Sequence, residues 1–182
     1  MNNNPIVFQN QQPRINEYLE NPNAAWITDV ATIEGANLED PFHTQVIVNE
    51  ELQIPFPVGV HRAVGGLHDA PNPGDILCAS LAACFESTMR MVANRLGVKL
   101  TETRVRASAE VDVRGTLMID MQVPVGFQKM TLDLELRVAD ETKERMIKTL
   151  VKATKYCCII YQTISKGIPI AVNTRILNVE TA

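Results

Sequence analysis

Four cysteines and three histidines are the residues of this 182-residue chain best suited to nucleophilic, redox or metal chemistry. His43, His61 and His68 are scattered through strand-like and loop-like segments, and no C-x-x-C pair occurs. A zinc site therefore has little support, and nothing in the sequence calls for a cofactor. The cysteines fall in two segments, Cys78 with Cys84 and Cys157 with Cys158. Both segments read as long helices. Two such helices on one sheet face would bring cysteine towards cysteine, an arrangement suited to reversible thiol–disulfide chemistry. Taken singly, each cysteine also has a plainer reading, as a small hydrophobe filling a core.

The first cysteine segment, residues 70–97, is the element around which the chain is organised. Asn72 is an N-cap candidate, Pro73 suits the first helical position, and Asp75 falls where a carboxylate reaches back to the cap. Gly97 is placed to end the helix in a left-handed conformation. A helix over these residues would be about 36 Å long. It is rich in Ala, Ser, Cys and Thr, small side chains that let other backbone approach closely. Cys78 and Cys84 lie about 120° apart around it, so Cys78 reads as core.

The second cysteine segment predicts one helix over 141–166, with an apolar stripe through Met146, Ile147, Leu150, Ala153, Cys157, Ile160, Tyr161 and Ile164. Cys157 lies at the centre of that stripe and Cys158 at its flank. Between the helices two strands alternate cleanly. Val105, Ala107, Ala109, Val111 and Val113 share one side of the first; Met130, Leu132, Leu134, Leu136 and Val138 share one side of the second. They imply an antiparallel sheet with one face covered. Further strands are expected over 25–34, 43–49 and 52–64, the last interrupted by Pro55 and Pro57, and a final one over 168–179. This order argues for an α+β fold, an antiparallel sheet packed against two long helices. Residues 1–24 read as a polar tail with a short helix over 14–21, and 25–182 as one domain.

Composition bounds the partners. The formal net charge of −4, without a basic stripe, argues against nucleic acid. The N-terminal residues lack a secretory pattern, and no apolar run approaches the roughly 18 residues of a membrane span. The expected compartment is the cytoplasm, where thiols stay reduced.

The stretch APNPGDILCASLAACFESTM resembles the central helix of the osmotically inducible protein C family, which includes the organic hydroperoxide resistance proteins. Ala82-Ala83-Cys84-Phe85 carries the match. Cys158-Ile-Ile-Tyr-Gln-Thr-Ile is similar to the family's second cysteine segment, and RGT followed by VPVGFQ and a strand to its central region. The resemblance covers roughly residues 25–180 and implies an intertwined homodimer with sites at the subunit interface. It also implies a thiol peroxidase of the stress response. Cys84 would attack the O–O bond of an organic hydroperoxide, and an alcohol would leave. The resulting sulfenic acid would condense with the second cysteine, and a dithiol, lipoyl-linked in the best-known members, would reduce the disulfide.

This chain departs from the family pattern in three places. Some members have Glu directly after the loop proline; here Gly74 stands there and Asp75 follows. Asp75 has two readings, a group that orients the family's arginine or a helix cap. Arg62 is the candidate arginine, and its alternative is a solvated loop charge. The second family cysteine is often followed by Pro, here by Ile159. The choice of resolving residue between Cys157 and Cys158 stays open: the centre of the stripe favours a core role for Cys157, and the Gln162-Thr163 register favours Cys158 as the resolving residue. Two rivals remain at this level: a family member that binds a small apolar ligand in the same cleft without efficient peroxidase activity, and a structural protein whose cysteines are core.

Overall fold

A computed structural model describes residues 5–33, 37–139 and 144–167. The expected strand over 168–179 and the first residues of the expected second helix lie outside these. The central helix, α2 (Pro73–Leu96), has the expected bounds and both expected caps. Asn72 Oδ1 accepts from the Gly74 and Asp75 amides, and Asp75 Oδ2 accepts from the Asn72 amide at 3.0 Å. Gly97 takes φ +69°, where a side chain would be strained, and the Val98 amide closes the end on Ala93 O.

The two alternating strands form a hairpin-like antiparallel pair, β4 (Leu100–Glu110) and β5 (Lys129–Val138), in the register Val105↔Leu134 and Ala107↔Leu132. Their apolar face meets α2. Met89, Ala93, Val98 and Leu150 form a buried cluster, with Val105, Leu136 and Met146 packed against it. Length and apolar composition alone would let α2 cross a membrane, contrary to the expectation that no stretch comes near this. Its alanines and cysteines add to that apolar composition. Its contacts with the sheet and the later helices show a core helix.

Three sequence expectations are corrected. The Asn/Gln-rich start is not a loose tail: α1 runs Ile6–Glu20, with Pro13 inside it. Polar ties to α2 hold it, Val7 N to Asn94 Oδ1 at 3.1 Å and Arg95 to Gln11 Oε1 at 2.9 Å. The strand expected over 25–34 is confined to β1 (Ala31–Ile33), and a 3₁₀ turn over Pro22–Ala25 precedes it. Trp26 and Ile27 stand exposed instead. The single helix expected over 141–166 is two, α3 (Glu144–Cys157) and α4 (Ile159–Lys166), broken at Cys158.

β1 pairs antiparallel with β2 (Thr44–Val48), which pairs with β3 (Ile54–Val58), making a sheet separate from β4–β5 within the chain. Its register places Ile33, Val46, Val48, Ile54, Phe56 and Val58 on one face. Val58 is buried at one end of that face and Val46 is half-buried, while Ile33, Val48, Ile54 and Phe56 are exposed.

Candidate dithiol site

Cys84 lies mid-way along α2, half-buried, one residue before the fully buried Phe85. Cys158 is fully buried, and its Sγ is 3.4 Å from Cys84 Sγ. A disulfide needs about 2.05 Å, so the two sulfurs are in contact as free thiols and about 1.4 Å from bonding distance.

The helix break makes this contact. Cys158 takes ψ 110°, which ends α3 and makes it the N-cap of α4, its Sγ accepting from Tyr161 N at 3.4 Å. Thr154, fully buried, donates its hydroxyl to Leu150 O one turn back, a bond that bends helices. Gln162 Nε2 covers Lys155 O at 2.7 Å, a carbonyl near the broken end. Tyr161 then packs edge-on against Phe85, centroids 6.0 Å apart, fixing α4 to α2 beside the thiols. Ile159 occupies N1 of α4, where proline is favoured. The proline that often follows the family's second cysteine would sit there.

The same break corrects the reading of Cys157. At the centre of a continuous stripe it would be buried; at the last residue of α3 it is exposed. Beyond the break the helical phase restarts, so a stripe drawn through both helices does not describe one face. Cys78, read as core, is half-buried.

Burial pushes the Cys158 thiol above its ordinary pKa, and neighbouring Cys84 adds to this, while the Tyr161 amide pulls the other way. Burial, with Asp75 nearby, also raises Cys78. A cavity of about 300 Å³ opens on Cys84, with Ser87, Met91, Arg95, Cys157 and Ile159 among its walls. Gln11 of α1 reaches the same cavity, so the N-terminal helix helps shape it.

The other predicted site residues are not brought to the thiols. Asp75 is engaged in the capping box, and nine residues of helix, about 13 Å of rise, separate it from Cys84. Arg62 is exposed in a 3₁₀ turn over Arg62–Val64. Among the described residues it forms no ion pair, and no cation is bonded to Cys84. A Cβ at Gly74 would stand 3.0 Å from Phe127 Cζ and 3.0 Å from Asn72 Oδ1. A glutamate there would require both side chains to shift slightly. No group of three or more His, Cys, Asp or Glu side chains among the described residues is placed so that it could hold a metal ion.

One polar cluster was missed in the sequence. His43 bridges two carboxylates, Asp40 (Nδ1···Oδ2 2.8 Å) and Asp69 (Nε2···Oδ2 3.0 Å). It ties the segment before β2 to the lead-in of α2. Asp40 and His43 sit three residues apart, but Asp69 comes from a separate loop, and spacing alone gives no sign of it.

An α+β chain with a buried dithiol between two helices defines a class of cysteine-bearing proteins. Within that class, residues 66–173 match the family model for OsmC-like protein, and the chain belongs to that family. Its fold is similar to the OsmC-like protein of Mycoplasma pneumoniae (TM-score 0.61, 13% identity, 78% of this chain and 89% of that one). It is also similar to an organic hydroperoxide resistance protein from Legionella pneumophila (0.55, 21%, 77% and 90%). A third similar structure is an organic hydroperoxide resistance protein from Elizabethkingia anophelis (0.56, 21%, 79% and 91%). No match is found among curated proteins.

Proposed function

We propose that this protein is a cytoplasmic thiol peroxidase that reduces organic hydroperoxides to alcohols. The observation that carries the reading is the 3.4 Å contact between Cys84, on a cavity wall, and the buried Cys158. The Cys84 thiolate attacks one peroxide oxygen, the O–O bond breaks, and the departing alkoxide takes a proton to leave as the alcohol. Cys158 then attacks the Cys84 sulfenic sulfur, water leaves, and a disulfide forms. A dithiol returns both cysteines to thiols. A pure ligand-binding role leaves the dithiol contact unexplained.

The proposed assembly is a homodimer. Ile33, Val48, Ile54 and Phe56 leave an exposed apolar patch on β1–β3 among the described residues, and a second copy is the occupant the reading assigns to it. Arg62, exposed and without an ion pair among the described residues, is the candidate cation for a thiolate across that interface.

The test is one equivalent of an organic hydroperoxide added to the reduced protein, followed by peptide mapping. The expected product is a Cys84–Cys158 disulfide, with Cys158→Ser trapping sulfenic acid at Cys84. Undiminished hydroperoxide with all thiols intact would refute the reading.

A further inference from the structure

The two thiols that line the cavity, Cys84 and Cys157, and the thiol behind Cys84, Cys158, differ in access. Cys158 is fully buried, Cys84 is half-buried on the cavity wall, and Cys157 is exposed on the same wall. We propose that Cys157 is the exit thiol of the site: it exchanges with the buried Cys84–Cys158 bridge and presents the oxidising equivalent to an external dithiol at the cavity mouth. The proposal rests on the peroxidase reading above and assigns Cys157 to its reductive half.

Access is the first argument. After oxidation Cys158 Sγ is closed to any external thiol. Attack must come on Cys84 Sγ, at the wall of a cavity of about 300 Å³, the small end of the range that admits a drug-sized molecule. Ser87, Met91 and Ile159 crowd the approach. Cys157 already lines that cavity and needs no diffusion. A tethered thiol acts at an effective concentration of about millimolar, well above a micromolar external reductant. Position is the second argument. Cys157 ends α3 at the break, so no following turn of the same helix packs over its side chain.

In the first exchange Cys157 gives up its proton and its thiolate attacks Cys84 Sγ. The Cys84–Cys158 bond breaks, and its electron pair goes to Cys158 Sγ. Cys158 takes a proton there, where burial favours the neutral thiol. The protein stays oxidised by two electrons, now as Cys84–Cys157. One thiolate of the external dithiol attacks Cys157 Sγ and releases Cys84. Its second thiol attacks the mixed disulfide and releases Cys157. Two electrons enter the protein, and the dithiol leaves as its own disulfide.

The test prepares the oxidised protein in two ways, with an organic hydroperoxide and with diamide, which oxidises a thiol pair whether or not the protein is a peroxidase. Free thiols are alkylated at low pH and the bridges mapped. Re-reduction by micromolar dihydrolipoamide is followed in wild type and Cys157→Ser. The expected result is a Cys84–Cys157 bridge beside Cys84–Cys158 in wild type, and re-reduction slowed about tenfold or more in the variant. Equal re-reduction rates in the two proteins would overturn the proposal. If diamide oxidises the protein and the hydroperoxide does not, the peroxidase reading falls while the diamide samples still decide the role of Cys157.

Discussion

The two sheets of this chain are built from similar residues and live in different surroundings. β4–β5 turns its apolar face onto α2, and Val105 and Leu136 pack against the buried Met89 and Leu150. β1–β3 has an apolar face of its own, yet Ile33, Val48 and Ile54 are 56%, 43% and 51% exposed. The first sheet is stabilised within the chain. The second has its hydrogen bonds, but among the described residues only Val58 of that face is buried, and its polar ties, the His43 bridge and the Gly59 N to Pro71 O bond at 3.0 Å, reach the segment that leads into α2. Apolar patterning alone therefore does not say where a face will be buried. The difference separates a half covered within the chain from one that leaves an apolar patch exposed among the described residues.

The sharpest test of the contrast is in the covered half. Leu150 is fully buried, so Leu150→Ala should cost about 2–5 kcal/mol, read by denaturant unfolding. In the other half, Val48→Asp places a charge on the open face beside Ile54. The expected result is loss of the dimer with helical circular dichroism retained, and sedimentation at 20.2 kDa. A variant that sediments as wild type would show that this face is not the interface.

A smaller effect is expected where the two halves join. As a cap, Asp75→Asn should cost well under about 1 kcal/mol and leave peroxide consumption intact; a fall in consumption with stability unchanged would restore its orienting role. The smallest effect is pH-dependent. Hydrogen bonds to Asp40 and Asp69 raise the His43 pKa above its ordinary value, and both carboxylates are lowered by the same contacts. The imidazolium contribution is complete below about pH 6.5 and lost as pH rises through the raised value. The carboxylate contribution is present above about pH 4 and lost as pH falls through their lowered values. The melting-temperature gap between wild type and His43→Gln should therefore be widest between these limits and shrink as pH rises through the raised value. A gap that grows over that rise would contradict the bridge.

Much of the fold was legible because local signals agreed. Asn72, Pro73, Asp75 and Gly97 mark both ends of α2, and strict alternation marks β4 and β5. The break at Cys158 was not legible, because neither Gly nor Pro announces it. Buried Thr154, the Gln162 side chain and the Phe85–Tyr161 contact produce it from tertiary packing. Helical periodicity continued through it, which misplaced Cys157. Residues 6–13 form a helix through ties to Asn94 and Arg95, partners some 80 residues away that no local pattern reveals. For the site, two cysteine segments and their order were readable; the closeness of one pair was not.

The contact between Cys84 and Cys158 joins positions 74 residues apart. A covalent link there would close a long loop in the unfolded chain and remove about 4.4 kcal/mol of its conformational entropy, in the chain-entropy model. Oxidation would then act as a reversible staple. Oxidised molecules would open less often and resist proteases longer than reduced ones. The lifetime of the protein would itself become a record of how much oxidant it had met.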